Sequence, residues 1–288
     1  MLRQTKFGRG AACCALFPSG SDVFTDSKNR ANTVQISESS AFVYKPPLSA
    51  HGAKRILLKP NWGYPKPHPI TVGLPVLHEV IVGIRRVNTA AEILIVEGVC
   101  SPVSAAVVAE KLGVGELLAL DGVRFLDADT LPCQPYLNTA SVPMRYASLY
   151  APVLLSEVDC RISIGCLKRT TLKGAVLMSC AIKNLYGLLP RAEYHARSPH
   201  SRGQLHRPDV QKIIADVYWT LGILFDGAVV DATEKFVSRD WEPDIGTAVP
   251  CGKIVWGSDL LAVDGRACEL AEEGMPEYLA HIARMAAT

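Results

Sequence analysis

The sequence lacks a long apolar run, and it also lacks an excess of charge of either sign. Its apolar stretches are interrupted by charge well before the roughly 18–20 residues that a membrane span requires. The 30 basic and 28 acidic side chains leave a formal charge of +2, too small to indicate nucleic acid or an anionic membrane as a partner. The apolar run at residues 11–17 is about half as long as a signal-peptide core, so we expect a cytoplasmic protein.

Several fingerprints of common enzyme classes are also missing. No GxGxxG follows a strand-like run and no GxxxxGK[ST] is present, so the usual dinucleotide-binding and P-loop signatures are absent. The hydrolase elbow GxSxG and a clustered CxxCxxC are absent as well. The nine cysteines are scattered and odd in number, and we interpret them as mostly free thiols in a reducing compartment. We therefore expect chemistry without a cofactor.

What is present is the composition of an ordinary globular chain of 288 residues, with 49% hydrophobic and 20% charged residues. Residues 1–50 are the least regular part, and there we expect a short strand at 11–17 and a helix after Asp22. Residues 51–288 are predicted to form a single α/β domain, with a subdomain excursion proposed at 128–155.

Strand-like and helix-like segments alternate from residue 54 onward. The first five are strand 54–58, helix 74–87, strand 92–96, a helix after the expected N-cap Ser101, and strand 123–126. This order predicts parallel strands with right-handed crossovers. Three prolines between positions 132 and 143 exclude a long helix, so we expect a small irregular or antiparallel excursion around 130–150.

The alternation resumes after the excursion. The expected segments are strand 160–164, helices 173–188 and 209–224, strands 227–230 and 253–256, and helices 260–271 and 277–286. The predicted fold is therefore α/β, with a mostly parallel sheet flanked by helices.

Polar clusters follow five of these strand-like runs. They are Lys59-Pro60-Asn61, Glu97-Gly98, Lys168-Arg169, Asp231 with Glu234, and Gly257-Ser258-Asp259. Ligands of open α/β sheets bind outside the carboxyl ends of the strands. The pattern predicts one polar rim, and a ligand site, at one edge of the sheet.

Two members of this rim are candidates for acid–base chemistry. Pro60 favours an extended Lys59, which can bind an anion or act as a base if it is desolvated. The alternative is a solvated lysine at the start of a turn. Glu97, followed by Gly98, suits a general base or a hydrogen bond to a ligand hydroxyl. The alternative is a cap of the next helix.

A second group of residues is dense in cations. Lys168 and Arg169 follow one strand, and Lys183-Asn184 lies late in the expected helix 173–188. Cations beside a helix N-terminus form an anion site, although positive charge near a helix C-terminus is also favourable by itself. Both interpretations stay open.

The loop 193–207 holds three of the seven histidines, namely His195, His200 and His206. Their spacing is a weak metal signal without HExxH or paired CxxC. The other interpretations are a basic loop that closes over an anionic ligand and a surface loop in which one histidine has a function. Asp231 and Glu234 are able to hold a cation or to divide acid and base roles.

Taken in order, these motifs resemble the family known as domain of unknown function 362 over roughly residues 54–274. The matching residues are Lys59-Pro60-Asn61, Thr71 with Pro75, Glu97-Gly98, Lys168, Lys183-Asn184-Leu185-Tyr186-Gly187, His195, Asp231, and Ser258-Asp259 with Asp264. Where the family has Pro-Lys-x-Lys-x-His, this chain reads Gly165-Cys166-Leu167-Lys168-Arg169-Thr170, so one lysine and one histidine are absent. The resemblance implies an α/β fold with a ligand site.

The first hypothesis is a cofactor-independent enzyme of lyase, isomerase or cyclase type that acts on a small anionic metabolite. The expected catalytic residues are His195, Lys59, Glu97 and Asp231. The expected substrate-binding residues are Asn61, Lys168, Arg169, Lys183, Asn184 and Ser258. The motif departures favour a specialised substrate, with natural-product biosynthesis as the expected setting.

Two alternatives from other classes stand beside it. One is a metal-dependent enzyme that uses His195, His200 or His206 with Asp231 or Glu234. The other is an anion-binding protein without catalysis. The sequence leaves oligomerisation open, and fold alone does not decide among the three hypotheses.

Overall fold

The computed structural model describes residues 34–172, 174–239 and 242–286. The strands are β1 (Gln35–Glu38), β2 (Arg55–Pro60), β3 (Glu92–Glu97), β4 (Val123–Asp127), β5 (Cys133–Leu137), β6 (Ser148–Pro152), β7 (Cys160–Leu172), β8 (Ala175–Ser179), β9 (Gly227–Arg239) and β10 (Glu242–Gly257). The main sheet has the order β1-β10-β9-β7-β2-β3-β4, and β8 pairs with β7. Strands β4, β3, β2, β7 and β9 are mutually parallel neighbours.

Helices cover both faces of this sheet. They are α1 (Leu74–Val87), α2 (Ala105–Leu112), α3 (Gly115–Leu118), α4 (Leu154–Glu157), α5 (Ala181–Asn184), α6 (Arg191–Tyr194), α7 (Val210–Thr220), α8 (Leu260–Leu270) and α9 (Glu277–Ala286). No helix in the described part of the chain is both long and apolar enough to cross a membrane.

The continuous apolar runs of the central strands follow from burial on both faces. Successive side chains of a strand point to opposite faces. Ile56 and Leu58 of β2 join a core that contains the apolar face of α1, whereas Leu57 between them joins the core with α7, α8 and α9. The sheet therefore separates two hydrophobic cores, and the predicted α/β fold with a mostly parallel sheet is confirmed.

The predicted alternation from β2 to β4 is present, but the start of α2 differs. Its N-cap is Ser104, whose hydroxyl accepts the Val107 N–H at 3.3 Å, and Ser101 is buried before the helix. The helix ends at Gly113, where φ is 73°, as a C-terminal glycine predicts.

The expected helix at 173–188 is wrong over its first half. Strand β7 continues to Leu172 and turns back into β8, with Leu172 paired to Ala175. Gly174 has a φ of 80°, a left-handed conformation that glycine adopts without strain and that a tight turn uses. The helical part consists of the single turn α5, which carries Lys183 and Asn184, and a 3-10 helix that follows it at Leu185–Leu188.

Strand β10 runs antiparallel to β9, because the two form a hairpin. Gly257 pairs with Ala228, so the end of β10 lies beside the start of β9. Ser258 therefore falls at the edge opposite the carboxyl ends of the parallel strands. The prediction of a rim with five members is corrected to one with four.

The predicted excursion around residues 130–150 is an antiparallel pair, β5 and β6. Asp216 of α7 holds its connecting loop, because its carboxylate accepts the backbone N–H groups of Met144, Arg145 and Tyr146 at 2.7–2.9 Å. The strand and helix expected before residue 31 lie outside the described residues.

Candidate functional site

A cavity of about 740 Å³ opens beyond the carboxyl ends of β2 and β3, beside the part of β7 that extends past them. This volume lies in the range of small-molecule sites. Side chains from the strand ends line one part, and β8 and the segment 201–211 line other parts. The predicted location of a ligand site at the carboxyl edge thus coincides with a cavity.

The ion pair between Lys59 and Glu97 joins the ends of β2 and β3. Lys59 Nζ lies 2.7 Å from Glu97 Oε1, and both side chains are buried. The ammonium also donates to the Pro60 carbonyl at 2.8 Å and to Asn184 Oδ1 at 3.1 Å. Burial lowers the pKa of Lys59, and Glu97 counteracts this shift. Because an ammonium has three N–H donors, all of them are engaged here.

Glu97 is held by the backbone on its other sides. The Trp62 N–H donates to Oε2 at 2.6 Å and the Gly98 N–H to Oε1 at 2.9 Å. Gly187 packs against this carboxylate so closely that a Cβ there would lie 2.1 Å from Oε1. The motif that ends in Gly187 therefore needs glycine for close approach to the ion pair.

Asn184 positions α5 against the strand ends. Its side-chain N–H groups donate to the Lys59 carbonyl at 2.7 Å and to Ser163 Oγ at 3.1 Å, while its oxygen accepts from Lys59. Asn184 is thus a buried positioning residue.

The start of α5 is fixed independently by Asp264. This carboxylate accepts the Ala181 and Ile182 N–H groups at 2.8 and 3.1 Å. Burial raises the pKa of Asp264 to about 7. Together with Asn184, it orients Lys183.

Lys183 lines the cavity as a half-buried ammonium. Within residues 34–172, 174–239 and 242–286, it has no hydrogen bond and no carboxylate partner. Its Nζ lies 5.0 Å from the centre of the Tyr186 ring, a cation–π contact. Burial lowers the pKa of Lys183 to about 8, and the charge of Lys168 acts in the same direction.

Lys168 adds a second cation on the cavity wall. Its Nζ donates to Asn61 Oδ1 at 3.2 Å and to the Ile70 carbonyl. Burial lowers the pKa of Lys168 as well. Both acceptors are neutral, so Lys168 and Lys183 leave the wall with positive charge available for an anion.

His206 faces the same cavity as a neutral imidazole. Its Nδ1 lies 3.1 Å from the Arg202 carbonyl, which only accepts, so Nδ1 carries the proton. Burial and the charge of Lys183 lower the pKa of His206 to about 4. At neutral pH, Nε2 therefore carries a lone pair and is able to accept a proton.

Arg202 anchors the segment that carries His206. Its guanidinium is buried and donates to the carbonyls of Gly98 at 3.0 Å, Val99 at 3.2 Å and Gly187 at 3.3 Å, and also to Leu189. Asp129 lies 3.4 Å away as its counter-charge. The loop expected to be a mobile cover is thus tied to the end of β3.

The structure brings six of the predicted site residues together at the cavity. They are Lys59, Asn61, Glu97, Lys168, Lys183 and Asn184. Arg169 does not join them, because alternate residues of β7 point to opposite faces. It pairs instead with Glu273 at 3.3 Å.

Asp231, His195 and Ser258 also lie elsewhere. Asp231 is buried, accepts the Gly73 N–H at 3.0 Å, and lies 3.5 Å from His68 Nε2. His195 is exposed, with Nδ1 beside the Arg191 carbonyl at 3.1 Å. Ser258 is exposed at the opposite edge of the sheet.

In the part of the chain that the structure describes, no group of three or more His, Cys, Asp or Glu side chains is arranged to hold a metal ion. His195 and His200 are exposed, and His206 is the described histidine that lines the cavity.

Arg202 has no role among the predictions from sequence, and His206 appears there as a possible metal ligand and as one of three histidines in a loop that covers an anionic ligand or lies at the surface. A buried arginine inside a polar loop leaves no signal in composition or periodicity. The separation of Lys168 from Arg169, by contrast, follows from strand alternation and was available from the sequence.

Comparison with known proteins gives one family match. The sequence model of a domain of unknown function (DUF362) matches residues 56–269. No curated protein sequence matches the chain. Among solved structures, the lactate racemase apoprotein from Thermoanaerobacterium thermosaccharolyticum is similar, with a TM-score of 0.47 and 18% identity. The match covers 78% of this chain and 50% of that one, so this chain spans half the length of that protein.

Proposed function

The chain belongs to the DUF362 family, and we propose that this member is an enzyme that binds a small anionic metabolite and transfers a proton within it. The reaction is of isomerase or lyase type, and residues of the chain itself supply the acid and base. Lys168 and Lys183 hold the anionic group, and His206 moves the proton.

The observation that carries this proposal is the ammonium of Lys183 on the wall of the cavity, which contacts the Tyr186 ring but has no hydrogen bond and no carboxylate partner among the described residues. An ammonium withdrawn from water is costly unless an anion accompanies it. Among the described residues, the neighbouring cation Lys168 is also without a carboxylate partner. An anionic ligand would therefore supply a counter-charge for both lysines. Lys59 is excluded from this role because Glu97, Pro60 and Asn184 already use its three donors.

The chemistry follows from the placement of a neutral base beside these cations. A bound anion would offset the charge of Lys183 and raise the pKa of His206 toward the range of a general base. His206 Nε2 would then accept a proton from the carbon next to the bound carboxylate, and the negative charge would spread onto the carboxylate oxygens beside Lys183. Return of the proton to the same or another carbon completes an isomerisation. Loss of a leaving group from the neighbouring carbon completes an elimination instead.

Binding is tested by a thermal-shift screen of small carboxylates and phosphates with the full chain. A ligand at about 100 times its Kd adds about 2.7 kcal/mol of stability, which raises Tm by roughly 5–10 °C for a domain of this size. Lys183→Met should abolish the shift. Lys111→Met, the same change at an exposed lysine of α2, should retain it. Equal shifts in both variants would refute the anion site.

Proton transfer is tested by deuterium exchange of the bound anion in D₂O, followed by NMR. The informative variant is His206→Asn, because the asparagine amide retains a donor for the Arg202 carbonyl and lacks Nε2. We expect binding to persist and the exchange rate to fall by about 10²–10⁴. A wild-type protein that binds the anion and exchanges no C–H proton would leave the non-catalytic hypothesis in its place.

A further inference from the structure

The hairpin of β7 and β8 presents a graded surface to the cavity. Three cross-strand pairs on this face all line the cavity, namely Lys168 with Ser179, Thr170 with Leu177, and Leu172 with Ala175. The first pair is polar, the second is mixed and the third is apolar. The wall therefore changes from charged to apolar along a single direction.

The length of this gradient follows from strand geometry. Lys168 and Leu172 are four residues apart on β7, so at about 3.3 Å per residue the gradient extends over about 13 Å. The first turn of α7 lies beside β8, because Gln211 Nε2 donates to the Val176 carbonyl at 3.1 Å. Val210 and Pro208 in this region also line the cavity and add apolar surface.

We propose that the substrate is an amphipathic anion, with a carboxylate or phosphate at one end and an apolar body about 10 Å long that lies along the hairpin. The inference rests on the proposed anion site and adds the class of molecule that fills the rest of the cavity. The head binds beside Lys168 and Lys183, and the body contacts Leu177 and then Leu172. A wholly polar metabolite would leave this apolar surface wet, which is unfavourable.

The test is a series of unbranched carboxylates of two to ten carbons, with Kd measured by titration calorimetry on the full chain. Each methylene that reaches the apolar wall should tighten binding by about 4-fold until the wall is covered. Ala175→Asp places a charge on the exposed, cavity-facing end of the hairpin and should weaken binding of the long members by tenfold or more. Val176→Asp is the matched control, since Val176 is an exposed neighbour outside the cavity lining.

Three outcomes distinguish the proposed amphipathic substrate from the proposed anion site on which it rests. Tightening with length that Ala175→Asp removes and Val176→Asp retains supports the amphipathic substrate. Equal affinity at all lengths, with Lys183→Met still abolishing binding, refutes the proposed apolar body of the substrate and leaves the anion site intact. The absence of binding for every member, together with no shift in the phosphate and carboxylate screen, overturns both.

Discussion

An ion pair lies at each end of β3, and comparing the two pairs tests how much burial of charge affects stability. Glu97 at its last residue pairs with Lys59 of β2 at 2.7 Å, with side-chain exposures of 2% and 1%. Glu92 at its first residue pairs with Arg124 of β4 at 2.9 Å, with exposures of 33% and 64%. The two pairs have similar distances, and each joins neighbouring strands. They differ in burial, so the same substitution at each should have different costs.

Glu97→Gln should destabilise the protein by about 3–5 kcal/mol, because it leaves the Lys59 ammonium buried without a counter-charge. The new amide also presents a donor to one of the N–H groups that Glu97 accepts, from Trp62 or Gly98. This corresponds to a fall in Tm of roughly 6–20 °C. Glu92→Gln should cost about 1 kcal/mol or less, as is usual for exposed pairs.

The assay is equilibrium unfolding in urea, with the unfolding free energy extrapolated to water and the slope checked for constancy. The double variant Lys59→Met with Glu97→Gln removes the orphaned charge. It should therefore be more stable than the sum of the single changes predicts, by about 1–3 kcal/mol. Additivity within about 0.5 kcal/mol, or equal costs for Glu97→Gln and Glu92→Gln, would refute the interpretation of a buried, coupled pair.

Two further predictions concern the same region. Native His206, with a pKa of about 4, binds fewer protons than the unfolded chain between pH 4 and 6.5, so stability should be lost as pH falls through this window, by up to about 3 kcal/mol. His206→Asn should flatten that dependence in pH-resolved urea unfolding, and an unchanged profile would contradict a buried neutral imidazole. Gly187→Ala should destabilise by at least about 1–3 kcal/mol, since the new Cβ collides with Glu97. Gly115→Ala, with open space around its Cβ, should change stability by about 1 kcal/mol or less in a parallel melt, and equal costs would contradict the close approach.

Much of the fold is readable from local patterns, because strands buried on both faces are continuous apolar runs and their crossover helices are periodic. The direction of β10 is not readable in this way. Its apolar end at Ile254–Trp256 resembles that of a parallel strand, and only the pairing with β9 reveals the reversal. The expected helix at 173–188 fails for a related reason. An apolar segment beside a glycine suits a hairpin and a helix equally well until its partner strand is known.

In the candidate site too, the features that depend on local sequence were predicted, and those that depend on tertiary contacts were not. Lys59 and Glu97 were predicted from their position after strands, and the structure places them at the cavity. Their mutual pairing, which together with Pro60 and Asn184 occupies the three donors of Lys59, depends on the register of β2 and β3 and has no sequence signal. The emphasis on His195 over His206 has the same origin, because both lie in one polar loop. Which histidine faces the cavity is set by Arg202, thirteen residues from its acceptor Leu189 along the chain.

The anchoring of Arg202 has a consequence for protein engineering. This side chain anchors its loop through hydrogen bonds to the carbonyls of Gly98, Val99 and Gly187. The outer segment of the loop, at residues 197–200, is exposed. The outer segment is thus a suitable place for a fluorophore, an affinity handle or a graft of foreign sequence. A reporter attached there would be next in sequence to Ser201, which lines the cavity, and would leave the hydrogen bonds of Arg202 in place.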